Sequence, residues 1–218
     1  MGNTIQNKIL VAVCATVLSL NTISANAVDS KYKDAVSALN TLKVIDEVRT
    51  GYKREQFKHW IGVGNGCDSR KAVIISEAIV KPTVDKKCAI TGGKWLSIYD
   101  NETVTEAGKL DVDHMVPLAE AWDSGASAWD AKKREMYAND QTDPRHLIAV
   151  TGASNRSKSD RDPADWLPTN KAYVCEYLTN WISIKVRWSL SVDKKEKDAI
   201  VAGLKPCKKT AFSITLIK

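Results

Sequence analysis

The sequence predicts a single α+β domain that follows an N-terminal leader. Three observations predict it: short β-prone stretches in the middle of the chain, an amphipathic helical pattern near its end, and four cysteines outside the leader. Without the leader the chain has about 190 residues, enough to bury one substantial core. No internal repeat, low-complexity stretch or flexible linker interrupts residues 28–218, so we expect one domain there.

Residues 1–27 have the pattern of a secretory signal peptide. Lys8 precedes an apolar run over 9–20, and Ala25-Asn26-Ala27 supplies the small residues that a signal peptidase requires. The alternative is a membrane anchor, but the run is shorter than the roughly 20 apolar residues that span a bilayer. We therefore expect cleavage, no stable membrane association afterwards, and a secreted or periplasmic protein.

The cysteines predict disulfides. Cleavage removes Cys14 and leaves Cys67, Cys88, Cys175 and Cys207, an even number in a chain bound for an oxidising compartment. Four cysteines allow three pairings, and pairing between sequence neighbours would give Cys67–Cys88 and Cys175–Cys207. A zinc cluster is the weaker alternative, because none of these cysteines has the close spacing of structural zinc sites.

The charge favours a polyanionic partner without proving one. The chain has 32 basic and 26 acidic side chains, and the leader contributes only Lys8, so the mature protein has 31 against 26 and a net charge near +5. Such an excess suits nucleic acid, although many soluble proteins are modestly basic.

Two helices are predicted before the β-prone region. Asp29 or Ser30 begins the first, which ends before Gly51 and has apolar residues every third position, at Val36, Leu39, Leu42, Ile45 and Val48. Asp68 or Ser69 begins the second, which runs through Ile79 and ends before Pro82.

Residues 94–150 predict strands and a short helical region. The stretches 94–99 and 109–115 are separated by the turn residues Asp100-Asn101 and by Gly108, and we interpret them as a hairpin. A polar helical region follows as far as Asn139, and 146–150 predicts another strand that leads into Thr151-Gly152.

The last third predicts two helices within about 170–207. The first has aromatic and apolar residues at spacings of three and four, and a second surrounds residues 199–204. Cys175 and Cys207 could connect these helices.

The segment Leu110-Asp111-Val112-Asp113-His114-Met115-Val116-Pro117-Leu118 carries the clearest chemical signal. On a strand Asp111 and Asp113 share one face, and a bend at Pro117 would leave His114 near the strand end. A carboxylate beside an imidazole can hold a metal and activate water, as phosphodiester hydrolysis requires. About forty residues later, Asn155-Arg156-x-Lys158-x-Asp160 adds an amide oxygen and two cations.

These two segments resemble the pattern of HNH nucleases, Asp-x-Asp-His-x-x-Pro with a downstream Asn-Arg-x-Lys-x-Asp. Over about residues 50–207 the chain is similar to the secreted branch related to the C-terminal domain of the GmrSD restriction enzymes. The further segments that carry this resemblance are Phe57-x-His59-Trp60, Gly66-Cys67-Asp68-x-Arg70, Gly93-Lys94-Trp95, Ala119-Glu120-Ala121-Trp122-x-Ser124-Gly125-Ala126 and Asp162-Pro163-Ala164-Asp165-Trp166-Leu167-Pro168.

The resemblance implies a ββα-metal core, about 94–166, in which two strands and a helix bind one divalent ion, Mg²⁺ or Mn²⁺. It implies that His114 is the general base, that Asp113 is a metal ligand, and that Asn155 either binds the metal or orients His114. The sequence lacks the terminal histidine of the HNH motif, and Ser159 and Asp160 fall nearest to that region. The third protein ligand therefore stays open, with Asp160 expected to support the site.

Other residues in or near these motifs are candidates for further roles. Arg156, Lys158 and Arg161 are candidates for phosphate contacts, with Arg156 also stabilising charge during cleavage; a solvated basic turn is the alternative. His59 is a candidate substrate contact. Asp111 is expected to support the metal ligands, with an exposed strand carboxylate as the alternative.

The predicted function is an exported, metal-dependent endonuclease that cuts DNA with low sequence specificity, with RNA as an open second substrate. The competing hypothesis is a non-catalytic exported nucleic-acid-binding protein on a nuclease-like fold.

Overall fold

A computed structural model describes residues 28–217. The predicted signal peptide, with Cys14, lies outside these residues. The strands of the described part are β1 (Val28–Tyr32), β2 (Gly62–Gly64), β3 (Cys67–Asp68), β4 (Thr83–Val84), β5 (Ile90–Thr91), β6 (Trp95–Ser97), β7 (Glu102–Val104), β8 (Leu110–His114), β9 (Leu147–Thr151) and β10 (Phe212–Leu216). The α-helices are α1 (Ala35–Leu39), α2 (Ser69–Ser76), α3 (Leu118–Asp123), α4 (Ala131–Ala138), α5 (Gly152–Lys158), α6 (Val174–Arg187) and α7 (Lys194–Leu204).

The strands pair two by two, each pair antiparallel. β1 pairs with β10 and so joins the two ends of the described chain, with Ser30 opposite Ile214. β8 pairs with β9 over five residues, from Leu110 opposite Thr151 to His114 opposite Leu147. The chain is therefore a mixed α/β domain without a large sheet among residues 28–217.

Helix α6 forms the centre of the main core. Tyr177, Trp181 and Ile184 recur at helical spacing and are completely buried, as the amphipathic pattern predicts. A smaller apolar cluster lies between α2 and the β8–β9 pair, where Ile74 packs with Leu110. This cluster fixes the outer face of the strand pair.

The predicted hairpin between 94–99 and 109–115 is wrong. β6 instead turns back at Asp100-Asn101 and pairs with β7, with Trp95 opposite Val104. Asn101 has a φ of 61°, the left-handed conformation that tight turns require and that asparagine tolerates. β8 is left free to pair with β9.

The prediction of a long first helix is also wrong. Asp34 caps α1, which ends at Leu39, and residues 43–45 follow an extended path. There the Ile45 N–H donates to the Val192 carbonyl at 2.9 Å, and Val44 forms a β-bridge with Val192. Ile45 and Val48, assigned to the buried face of the helix, are more than half exposed. Contact with the segment before α7 therefore outweighs the three-residue periodicity.

Other expectations are confirmed. Asp68 caps α2, which ends three residues earlier than predicted, and strand β9 leads directly into a helix. Cys67 pairs with Cys88 and Cys175 pairs with Cys207. The second bond connects α6 to the end of α7. Within 28–217, no helix has both the length and the apolar character needed to cross a membrane.

Candidate active site

The β8–β9 pair and α5 bring the two sequence motifs together. β9 runs without a loop into α5, because the Thr151 hydroxyl accepts a hydrogen bond from the Ser154 N–H and caps the helix. β8 carries Asp113 and His114 at its end, and α5 carries Asn155. The strand pair and the helix therefore place these three side chains along one pocket.

The pocket has a volume of about 380 Å³ and is mainly polar. Its walls are formed by Tyr52, Arg54, Val112, Asp113, His114, Pro117, Leu118, Ala119, Asn155, Arg156, Ser159 and Asp160. Residues separated by more than one hundred positions in sequence meet there, so the pocket is a product of the tertiary fold.

The His114 ring is fixed by a backbone carbonyl. Its Nε2 lies 2.9 Å from the carbonyl oxygen of Ala138, at the end of α4. A carbonyl only accepts, so Nε2 carries the proton and Nδ1 keeps its lone pair. Nδ1 makes no hydrogen bond to a residue of 28–217. Burial, together with nearby His146, holds the pKa of His114 well below its usual value, which keeps the ring neutral.

Aromatic side chains surround this ring. The Trp60 ring is stacked on it, with 5.3 Å between ring centroids and 25° between planes. Tyr137 is nearly parallel at 6.4 Å, and His146 meets His114 edge-on at 6.0 Å. The imidazole therefore has few alternative orientations.

Asp113 is buried and forms two strong hydrogen bonds through one oxygen. The Tyr99 hydroxyl and the Lys158 ammonium each donate to its Oδ2 at 2.6 Å. Burial raises the pKa of Asp113 although Lys158 opposes this, and burial lowers the pKa of Lys158 although Asp113 opposes that. The ion pair thus carries a large desolvation cost.

Asn155 is oriented by Asp111. The Asn155 amide nitrogen donates to Asp111 Oδ2 at 3.3 Å, which turns the amide oxygen away from that carboxylate. Arg156 lies 3.7 Å from the same Asp111 oxygen, and its side chain is 75% exposed. Asp111 therefore contacts α5 behind the pocket, and Arg156 lies exposed at the pocket wall.

Several predicted residues lie elsewhere. Lys158 is completely buried, and its ammonium also donates to the His114 carbonyl at 2.9 Å, so a phosphate contact does not fit its placement. Arg161 is exposed but does not line the pocket, and its Nε donates to the Lys158 carbonyl. His59 Nδ1 lies 2.6 Å from the Phe57 carbonyl, and the ring is outside the pocket walls. Asp160 does line the pocket, where it is paired with Arg49.

The sequence did not single out Tyr52 or Arg54. Both line the pocket from the segment before Phe57, and Arg54 is exposed. The Arg54 charge contributes to the lowered pKa of His114. Only the basic character of Lys53-Arg54 could have drawn attention to this segment.

The pocket oxygens suit a small divalent cation. Asp113 Oδ1 and the Asn155 amide oxygen have no hydrogen-bond donor among the described residues, and both side chains line the pocket. Magnesium prefers such hard oxygen ligands and commonly uses only one or two protein side chains, retaining several waters. The donor set therefore fits Mg²⁺ or Mn²⁺.

A separate group of carboxylates surrounds Glu47. Oxygens of Glu47, Glu120 and Asp123 lie within 4.8 Å of one another. Lys185 donates to Glu120 at 2.5 Å and Arg49 to Asp123 at 2.6 Å. Burial and the Glu120 charge raise the pKa of Glu47 to about 8. Cations and a proton thus offset the charge of this cluster, and we assign no metal to it.

Comparison with known proteins places the chain in a protein family. Residues 74–202 match the family model described as the C-terminal domain of GmrSD restriction endonucleases. The chain is 41% identical to an uncharacterized secreted protein of Arthroderma benhamiae over 157 residues, which cover 72% of this chain and 76% of that protein. No solved structure matches the chain at a significant level.

Proposed function

Because the chain belongs to the family of GmrSD restriction endonuclease C-terminal domains, we propose that it is an exported endonuclease that hydrolyses DNA phosphodiester bonds with one divalent metal. We propose His114 as the general base and the β8–β9–α5 unit as a ββα-metal core. The family supports a nuclease with DNA as its substrate. The secreted relative supports export.

The observation that carries the proposal is the convergence of Asp113, His114 and Asn155 on one polar pocket. Each has the atom that the reaction needs without a competing hydrogen bond in the described chain: a carboxylate oxygen, an imidazole nitrogen and an amide oxygen. Such a combination of a base with hard oxygen ligands is suited to hydrolysis of a phosphodiester.

Asp113 and Asn155 would hold the metal. A bound divalent cation would neutralise charge on the phosphate and on the departing oxygen. Tyr99 and Lys158 fix the Asp113 carboxylate from the interior, and Asp111 fixes the Asn155 amide. Both ligands are therefore oriented before any cation binds.

His114 would take a proton at Nδ1. The hydrogen bond from Nε2 to Ala138 sets the tautomer and directs the free nitrogen away from that carbonyl. A water in the pocket, placed beside a bound phosphodiester, would lose its proton to this nitrogen as it attacks phosphorus. The ester bond from phosphorus to the departing oxygen would break, and that oxygen would take a proton from solvent water. Arg54 and Arg156 would bind the non-bridging phosphate oxygens.

We expect the protein to contact mainly the sugar-phosphate backbone of DNA and few base edges. The pocket offers charged groups for phosphate, and a positive net charge attracts any nucleic acid. We therefore propose low sequence specificity. Cleavage of unrelated duplexes at similar rates supports this, and a discrete cutting pattern contradicts it; single-stranded DNA and RNA are tested in the same series.

The test is plasmid cleavage by the mature, oxidised protein with Mg²⁺, Mn²⁺, Zn²⁺ or EDTA. We expect cutting with Mg²⁺ or Mn²⁺ and none with EDTA. His114→Ala and Asn155→Ala are each expected to lower the rate at least about 100-fold. DNA binding in EDTA and thermal unfolding serve as controls that the variants fold and bind.

The same experiment separates the alternative. A folded wild-type protein that binds DNA in a salt-sensitive manner but cuts with none of these metals would be a non-catalytic binding protein. Full activity of His114→Ala, or of the wild type in EDTA, would remove His114 or the metal from the mechanism.

A further inference from the structure

We propose that Trp60 is a positioning residue for catalysis, which fixes the plane of the His114 imidazole. The inference rests on the proposed function, since it concerns the same base. Trp60 lies 54 positions before His114 in sequence and does not line the pocket. Its action would pass through His114 alone.

The first evidence is the contact itself. The two rings are nearly parallel, 25° apart, with centroids 5.3 Å from each other. The Ala138 carbonyl fixes one ring nitrogen, but a single hydrogen bond leaves the ring free to tilt about that axis. The parallel indole of Trp60 limits this tilt most closely, because it is the nearest of the three rings around His114, with His146 at 6.0 Å and Tyr137 at 6.4 Å.

The second evidence is the backbone of Trp60. Its φ is 59°, a left-handed conformation that is unfavourable for a large side chain. Trp60 is only half-buried, at the border of the smaller apolar cluster. The surrounding structure must therefore enforce it.

Asn139 provides that enforcement. Its amide oxygen accepts from the Ile61 N–H at 3.1 Å, and its amide nitrogen donates to the Lys58 carbonyl at 2.8 Å. Asn139 thus bonds to the backbone on both sides of Trp60. The preceding residue, Ala138, supplies the carbonyl that binds His114. One helix end therefore fixes both the base and the ring stacked on it.

The Cys67–Cys88 disulfide adds a connection to the chain that follows Trp60. The Ser69 N–H donates to the Ile61 carbonyl at 2.9 Å, so the chain from Trp60 returns to the start of α2. Cys67 in this return path is bonded to Cys88. The Trp60 segment is consequently tied at Asn139 and at the disulfide.

A spectroscopic experiment tests the stack without depending on cleavage. The chain has three histidines, so the imidazole proton signals are few, and His114→Gln identifies those of His114. In metal-free protein with EDTA, an indole parallel to the imidazole shifts the His114 signals upfield. Because Tyr137 also lies nearly parallel to His114 at 6.4 Å, we expect Trp60→Leu to reduce this shift and leave only the part caused by the other rings, and Trp60→Phe to retain most of it. Trp166→Leu, a half-buried tryptophan that contacts Tyr99 and Tyr177, is the matched control and should leave it unchanged.

The kinetic arm tests the positioning role. Trp60→Leu is expected to lower kcat about 10- to 100-fold with KM within about twofold, because misorientation of the base affects the chemical step and not binding. Trp60→Phe should recover most of kcat. Trp60→Met, which fills irregular space without a ring, replaces the Leu variant if that variant does not fold.

Wild-type kcat in a ring-free variant would overturn the proposal, as would equal losses in the Phe and Leu variants. An unshifted His114 signal in the wild type would also overturn it. If the wild type cuts no nucleic acid, the proposed function fails by itself, and the imidazole signals still decide whether Trp60 fixes the ring.

Discussion

The completely buried Lys158 ammonium forms an ion pair with Asp113, whose side chain is 5% exposed, with 2.6 Å between Nζ and Oδ2. The pair joins the two sequence motifs, since Asp113 is the penultimate residue of β8 and Lys158 is the last residue of α5. Lys158 therefore acts inside the protein, behind the carboxylate that is proposed to bind the metal.

Lys158→Met is expected to destabilise the protein by about 3–5 kcal/mol, because it leaves Asp113 buried without its cation. Denaturant unfolding measures this loss. Adding Asp113→Asn to Lys158→Met should restore part of the stability, because the uncompensated charge is gone, but should not restore cleavage. A loss below about 1 kcal/mol for the single variant would show that Asp113 is neutral or solvated.

Arg54→Ala is expected to weaken DNA binding in EDTA. Arg54 lines the pocket, and no ion pair within residues 28–217 neutralises it, so a phosphate can bind it directly. The slope of log K against log salt should fall in magnitude by about one. Lys205→Ala, which removes an exposed cation at the end of α7, is the matched control. An unchanged slope for Arg54→Ala would place Arg54 outside the phosphate contact.

The local sequence predicted the strand carrying Asp113 and His114, because alternating residues followed by Pro117 define a strand end. It did not predict the strand's partner. The 94–99 stretch was nearer in sequence than β9, but the Asp100-Asn101 turn closes a shorter hairpin and leaves β8 to a partner more than thirty residues away. Register between distant strands depends on the packing of both faces, which a single strand does not encode.

The burial of charged residues could not be predicted from the sequence either. A lysine in a polar segment is normally exposed, and only its three-dimensional position beside Asp113 explains why Lys158 is not. Trp60 and Arg54 were missed as site residues for a related reason. Trp60 stacks on His114 and Arg54 lines the same pocket as His114, both from a segment that is bonded to the end of α4, and no periodicity marks this arrangement.

The two disulfides allow a matched test of the Trp60 segment. Each closes a loop of moderate length, with sequence separations of 21 and 32, so removing either is expected to cost about 3 kcal/mol. At temperatures well below its melting temperature, the variant Cys67→Ser/Cys88→Ser should also have a lower kcat, because it loosens the chain between Trp60 and the start of α2. Cys175→Ser/Cys207→Ser, which loosens α6 and α7, should not. Equal kcat values in the two variants would contradict a link between the first disulfide and the base.

Glu77→Gln tests a pH dependence of stability near the site. Glu77 Oε2 accepts a hydrogen bond from the Ala149 N–H of β9 at 2.8 Å, but burial raises its pKa from 4.5 to about 7. The folded state therefore binds a proton that the unfolded state releases, and stability falls as the pH rises from about 4.5 to 7. This loss is on the order of 3 kcal/mol.

The variant Glu77→Gln tests this, because glutamine keeps the acceptor and cannot ionise. Its free energy of unfolding relative to the wild type should rise as the pH rises from about 4.5 to 7 and stay constant above that range. Unfolding free energies at several pH values measure the difference, with Glu106→Gln, an exposed carboxyl, as the control. A variant whose stability relative to the wild type does not change with pH would show that Glu77 titrates normally in the folded protein.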